Sequence, residues 1–168
     1  MAPELLGLRP VRDADAGPLA ALIEACWSEH PGCVLDIDAE EPWLRAPAFF
    51  AAAEGKRLWV LDDDTGGSLA ASIAVRPVPD DAGPTAELKT LYVARSARRR
   101  GLGAALVAWA EGVARRELGA RRMILWSDTR FVDAHRLYTR LGYEPGGLRE
   151  LHDLSNTVER WFGRDLAG

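Results

Sequence analysis

The sequence predicts a single α/β domain, a mixed sheet flanked by helices, with its binding site at the carboxyl end of a central strand. Three observations carry this. The run from Glu87 to Leu106 reads as strand, turn and helix: Leu88 to Val93 is rich in β-branched and aromatic residues, Arg98-Arg-Arg-Gly-Leu-Gly103 is a basic turn, and Leu102, Ala105, Leu106, Trp109 and Val113 recur at helical spacing. The length of 168 residues suits one domain with a core of its own. Strand-like and helix-like stretches then follow one another in the order expected of a sheet covered by helices.

In chain order, Leu6 to Val11 reads as a first strand. Asp13 or Asp15 is expected to cap a helix whose apolar face is Leu19, Leu22, Ile23, Cys26 and Trp27. From Ser28 to Pro47 the chain becomes a loop with short helical pieces, and Phe49 to Glu54 reads as a helical turn stopped by Gly55. Arg57 to Leu61 and Ser68 to Arg76 form a hairpin around Asp62-Asp-Asp-Thr-Gly-Gly67. After the central strand, a helix is predicted over 102–118 with a Gly119 stop, then a strand over 123–126, a helix over 132–141 with a Gly142 stop, and two strands before Phe162 that turn near Ser155-Asn156.

Composition excludes several classes. At 48% hydrophobic and 27% charged residues the chain is of globular type, neither disordered nor fibrous. No apolar run approaches a membrane span, and Met-Ala-Pro-Glu lacks the basic-then-apolar start of a secretory signal, so a cytoplasmic protein with no membrane partner is expected. A net charge of −4 argues against nucleic acid as a partner. Cys26 and Cys33 make neither a disulfide framework nor a metal pair; Cys26 is expected in a helix core and Cys33 in a loop. His30, His135 and His152 are scattered, so no metal is expected.

The basic turn is the chemically informative stretch. A helix N-terminus presents N–H groups without intrahelical partners and a partial positive charge, and glycines at 101 and 103 let an anion approach them. Arg98, Arg99 and Arg100 add charge-assisted hydrogen bonds, which together suit a diphosphate. The Gly-x-x-x-x-Gly-Lys pattern of a nucleotide-triphosphate loop is missing, as is the third glycine of a dinucleotide fingerprint. A solvated helix start is the alternative that this run, taken alone, leaves open.

Arg98-Arg-Arg-Gly-Leu-Gly103 resembles the Arg/Gln-x-x-Gly-x-Gly/Ala acetyl-CoA signature of the GNAT superfamily of N-acetyltransferases, and it follows a Leu-Tyr-Val strand as in many members. Ala134-His-Arg-Leu-Tyr-Thr-Arg-Leu-Gly-Tyr143 is similar to the segment that closes the same site in that family. The resemblance spans roughly the whole chain and implies one domain over 1–168, with a mixed, mostly antiparallel sheet, about four flanking helices, and fourth and fifth strands that splay apart. It implies acetyl-CoA as cosubstrate, its pantetheine arm on the backbone of Leu91, Tyr92 and Val93 and its pyrophosphate on the turn formed by Arg98, Arg99, Arg100, Gly101, Leu102, Gly103 and Ala104.

Acetyl transfer from a thioester to an amine needs a neutral amine, a stabilised oxyanion and a proton for the departing thiolate. The resemblance places Tyr138 near the thioester sulfur as general acid and Glu87 on the fourth strand as base, with the Val93 amide facing the oxyanion. Residue by residue, Tyr138 is equally a member of the helix face Ala134, Leu137, Leu141, and Glu87 is equally a salt-bridged strand residue. His135, Glu150 and His152 are reserve bases. Many relatives carry an asparagine where this chain has Phe131; the polar cluster Ser127 to Arg130 is the candidate replacement. Asp36, Asp38, Glu40 and Glu41 either attract a cationic amine or solvate a loop. The expected activity is acetylation of a small-molecule amine or a protein amino group, the alternative being a catalytically silent acyl-CoA sensor, and exposed sheet edges near the C-terminus leave a homodimer open.

Overall fold

The computed structural model describes residues 7–166. In chain order they form β1 (Arg9–Pro10), α1 (Ala16–Trp27), α2 (Pro47–Ala53), β2 (Arg57–Asp62), β3 (Leu69–Val78), β4 (Thr85–Val93), α3 (Leu102–Leu118), β5 (Arg122–Asp128), α4 (Val132–Arg140), β6 (Glu144–Glu150) and β7 (Val158–Asp165). The sheet order is β1-β2-β3-β4-β5-β7-β6, and every neighbouring pair is antiparallel except β4 with β5. Of the expected first strand only Arg9 and Pro10 pair, and Leu6 lies outside the described residues.

Helices cover both faces. The core shared by the sheet with α3 and α4 holds Ile73, Val75, Leu88, Leu106, Val113, Met123, Leu125 and Phe162, while α1 closes a second core with Leu19, Leu22, Ile23, Val60 and Ala74. Ile73 and Leu106 are fully buried, and each such side chain contributes about 1.5–3 kcal/mol relative to exposure. α3 ends where Gly119 takes the left-handed conformation at φ 63°, as its stop signal requires.

The helix caps are wired differently from the local expectation. Neither Asp13 nor Asp15 caps α1 through its side chain. The Asp15 carboxylate accepts from both terminal nitrogens of Arg9, at 2.8 and 2.9 Å, and from the Arg12 amide at 2.7 Å. Asp13 Oδ1 instead accepts from the amides of Ala48 and Phe49, at 2.9 and 3.1 Å. It thereby caps α2 across space, where Ala46 at the N-cap position has no side chain able to do so.

The feature that positions the site is an interrupted pairing. β4 and β5 are in register only at Thr85, Ala86 and Glu87 against Arg122, Met123 and Ile124, after which β5 continues with β7 and β4 continues with β3. Within β4 the register shifts between Ser72↔Tyr92 and Ala74↔Lys89, leaving Thr90 and Leu91 opposite the single residue Ile73. This is a β-bulge, which bends its strand. Thr90 sits at φ 54°, and the buried Ser72 hydroxyl donates to its carbonyl at 2.7 Å, fixing the bulge from the neighbouring strand.

Candidate active site

Between the diverging strands lies a cavity of about 390 Å³, lined by Leu88 to Tyr92 of β4, Leu125 to Asp128 of β5, Tyr138 of α4, and Trp27, Glu41 and Trp43 from the helical side. Alternation along an antiparallel strand decides which backbone groups reach it. Ala94 donates to Ala70 at 2.8 Å and Tyr92 stands opposite Ser72, so the polar groups of Tyr92 turn toward β3. Those of Leu91 and the Val93 amide turn toward the cleft side, while the Val93 carbonyl accepts from Arg98 Nε at 2.9 Å. Of the expected backbone set Leu91, Tyr92, Val93, Leu91 and the Val93 amide face the cleft, and the Tyr92 side chain lines it, its hydroxyl accepting from Trp27 Nε1 at 2.9 Å. Burial pushes the Tyr92 phenol far up, so it remains protonated.

At the carboxyl end of β4 the chain makes a single 3₁₀ turn, Arg95–Ala97, before α3 begins. Arg99 and Gly101 both adopt positive φ, 63° and 77°, and Gly101 is the N-cap. Ala105 donates to the Gly101 carbonyl, so the amides of Leu102, Gly103 and Ala104 lie ahead of the first intrahelical bond, an amide cradle of the kind that suits an anion. A Cβ at Gly101 would meet nothing within 4 Å, whereas one at Gly103 would meet Leu137 Cδ2 at 3.1 Å. A side chain at Gly103 would thus crowd the approach of α3 to α4. Leu102 is buried and supplies only its amide, and the Arg99 and Arg100 side chains are exposed and without ion pairs among the described residues.

Arg98 is differently employed. Its Nε donates to the Val93 carbonyl at 2.9 Å, and its terminal nitrogens hold both oxygens of Glu29 at 2.7 and 2.8 Å. It ties the end of β4 to the loop after α1, and the pairing drives the Glu29 carboxyl below the usual carboxylate range.

Tyr138 is 6% exposed, with its ring 5.6 Å from Phe162 and 6.0 Å from Tyr143. The ring belongs to the core as its helix-face position suggests, yet the residue lines the cavity and its hydroxyl has no hydrogen-bond partner among the described residues. Desolvation pushes its pKa well up, so it holds its proton at neutral pH. Glu87 is 5% exposed and also lines the cavity. Its Oε2 accepts from Arg76 Nε and Nη2 at 2.9 and 2.8 Å, leaving Oε1 directed toward Lys89 Nζ at 3.9 Å.

Of the acidic loop only Glu41 lines the cavity. Asp36 caps the turn at Ala39, Asp38 pairs with Arg45, and Glu40 accepts from the Leu154 amide at 2.6 Å. Burial pushes the Glu41 carboxyl up. The reserve candidates His135, Glu150 and His152 do not line the cavity; His135 packs against Phe162 at 4.9 Å and burial pushes its pKa down. Phe131 lines the cavity with its ring 4.7 Å from His30, and in the polar cluster before it Asp128 is bound by Arg130 at 2.7 Å. Cys26 is buried and Cys33, half-buried, lines the cavity.

Comparison with known proteins agrees with this arrangement. The model of the acetyltransferase (GNAT) family matches residues 19–143. No curated protein matches the chain in sequence. Among solved structures, a GNAT-family acetyltransferase from Staphylococcus aureus Mu50 superposes with a TM-score of 0.77 at 15% identity, covering 95% of this chain and 98% of its own. A Salmonella typhimurium protein whose structure holds its cofactor acetyl-CoA gives 0.67 at 16%, covering 95% and 93%. A ribosomal-protein-alanine N-acetyltransferase from Brucella melitensis gives 0.65 at 20%, covering 94% and 98%. At these identities the structures speak for the fold, and the family model, which takes in both the cradle and Tyr138, speaks for descent. The chain belongs to the acetyltransferase (GNAT) family.

Proposed function

We propose that this protein is an acetyl-CoA-dependent N-acetyltransferase that transfers the acetyl group directly to a primary amine, with donor and acceptor bound together. One observation carries the reading: the half-unpaired β4 edge leads from a cavity containing the Tyr138 hydroxyl straight to the amide cradle of α3, which is the path an extended thioester with a diphosphate end would follow. The cradle amides of Leu102, Gly103 and Ala104 receive the diphosphate, with Arg99 and Arg100 adding attraction from solvent. Leu91 holds the arm as a neighbouring strand would. Arg98 acts as a positioning residue, holding Val93 in place.

In the chemistry, the acceptor nitrogen forms the new C–N bond and the C–S bond breaks. The Val93 amide faces the oxygen on which charge develops. Tyr138 supplies the proton to the departing thiolate, for which a phenol held protonated by burial is suited. The proton lost by the amine goes to a cavity carboxylate, Glu87 through its Oε1 or Glu41, whose carboxyl burial pushes up.

Thermal unfolding with and without acetyl-CoA tests the donor site, because a ligand that binds only the folded state raises the midpoint. A shift of several degrees is expected, and its absence at millimolar ligand refutes the assignment. An amine panel with free-thiol detection then distinguishes an enzyme from a silent acyl-CoA sensor, which would shift but release no thiol.

A further inference from the structure

The acceptor side of the cavity carries a chain of alternating charges. Lys56 Nζ lies 3.2 Å from Glu54, Arg76 reaches Glu54 at 4.0 Å and Glu87 at 2.8 Å, and Lys89 lies 3.9 Å from Glu87. All five residues line the cavity. Three cations thus share two carboxylates; of the other acids around Lys89, Glu159 is held by Arg149 at 2.6 Å and Glu41 accepts from Trp43 Nε1 in a site that favours its neutral form. The two ends of the chain differ. Lys56 is 5% exposed at its side chain and is doubly satisfied, by Glu54 and by the face of Trp43 at 4.9 Å. Lys89 is the unsatisfied end, with no acceptor within hydrogen-bonding distance among the described residues.

The Lys89 side chain is 35% exposed, so its ammonium is open to the cavity, and an anionic ligand group entering there would gain a charge-assisted hydrogen bond. Lys89 and Glu87 are also two residues apart on β4, so they project from the same face and stand side by side as one positive and one negative group. That is the complement of a head group in which an ammonium and a carboxylate are separated by one carbon.

We propose that Lys89 binds the carboxylate of the acceptor, so that the acceptor class is a free α-amino acid or an amino-acid-like zwitterion rather than a plain amine or a protein amino group. This rests on the acetyltransferase reading of the same cavity. Glu87 Oε1 receives the ammonium end, which holds the acceptor nitrogen in the cavity that Tyr138 also lines.

The test compares α-amino acids with their carboxamides and their decarboxylated amines as acceptors in the intact protein. A charge-assisted pair contributes about 1.5–3 kcal/mol, so kcat/KM for the acids should exceed that for the amides by about 10- to 150-fold. In Lys89→Met this ratio should collapse toward unity through a raised KM for the acids, and Lys89→Arg should restore part of it. Amides used as well as acids by the parent protein, or a Lys89→Met variant that loses both alike, would overturn the proposal. The acetyl-CoA midpoint shift, measured in parallel, separates the two levels: kept, it leaves the donor-site reading standing when the acid preference fails; lost in the parent protein, it brings down both.

Discussion

Replacing Tyr138 by Phe removes one oxygen and nothing else from the centre of the cleft. The ring contacts with Phe162 and Tyr143, at 5.6 and 6.0 Å, are carbon contacts that Phe keeps. Because no hydrogen bond from the hydroxyl exists among the described residues, none is broken, and the stability change should stay below about 1 kcal/mol, which for a chain of this size is a midpoint change of about 2–4 °C at most. The kinetic effect should be far larger. General-acid catalysis is worth about 10²–10⁴ in rate, so turnover should fall at least about 100-fold, or about 2.7 kcal/mol in barrier height, while the acetyl-CoA midpoint shift is retained. The assay is free-thiol release at saturating donor and acceptor. A donor built on a more acidic thiol should suffer less in the variant, since its thiolate leaves with less help. Equal turnover in the variant, or a loss matched by a collapse in melting temperature, would refute the assignment and return Tyr138 to the core. The same burial gives a pH prediction: with the phenol pushed well above its ordinary value, the parent enzyme should show no alkaline decline in kcat up to about pH 10, the ordinary phenol value.

Three further outcomes are expected. Ser72→Ala removes the 2.7 Å bond that fixes the Thr90 bulge; a loss of about 1 kcal/mol in denaturant unfolding should come with weakened acetyl-CoA binding, because Leu91 loses its register. Asp13→Ala uncaps α2 and should cost about 1 kcal/mol, read as a lower urea midpoint, without touching donor affinity. The Asp15 carboxyl is held below its ordinary value by Arg9 first of all, so the folded state binds fewer protons than the unfolded one; its stabilisation is present above about pH 4 and is lost as pH falls, and Asp15→Asn should be less stable at neutral pH but show a flatter acid limb in melting temperature.

What was legible in the sequence was what local chemistry dictates. The Gly101 and Gly119 positions, the apolar spacing of α3 and the strand character of Leu88 to Val93 all speak within a few residues of themselves, and the structure has them where they read. Asp13 was misread because its partner is 35 residues away, and local cap rules see only the helix that follows. Arg98 stands beside glycine in the sequence, and nothing local signals that Glu29 is its partner in the fold. Gly103 read as room for an anion, and only the packing of Leu137 shows the other claim on that space. The charge chain from Lys56 to Lys89 has no sequence signature at all, since its members sit on α2, β3 and β4 or at their edges and meet only when the hairpin folds.

The three-residue register between β4 and β5 sets how the protein behaves when no donor is present. A strand that pairs on one side only is chemically an edge, yet here it lies in the middle of the molecule, so Leu91 and Val93 should exchange their amide hydrogens with solvent as fast as a border strand while Ala86, a few residues earlier in the same strand, exchanges slowly. An edge is also a template for any extended chain that fits, and this one lies inside the sheet, with β5 continuing on its far side rather than at a border. The fold thereby keeps an open backbone groove available to a narrow ligand while withholding it from aggregation.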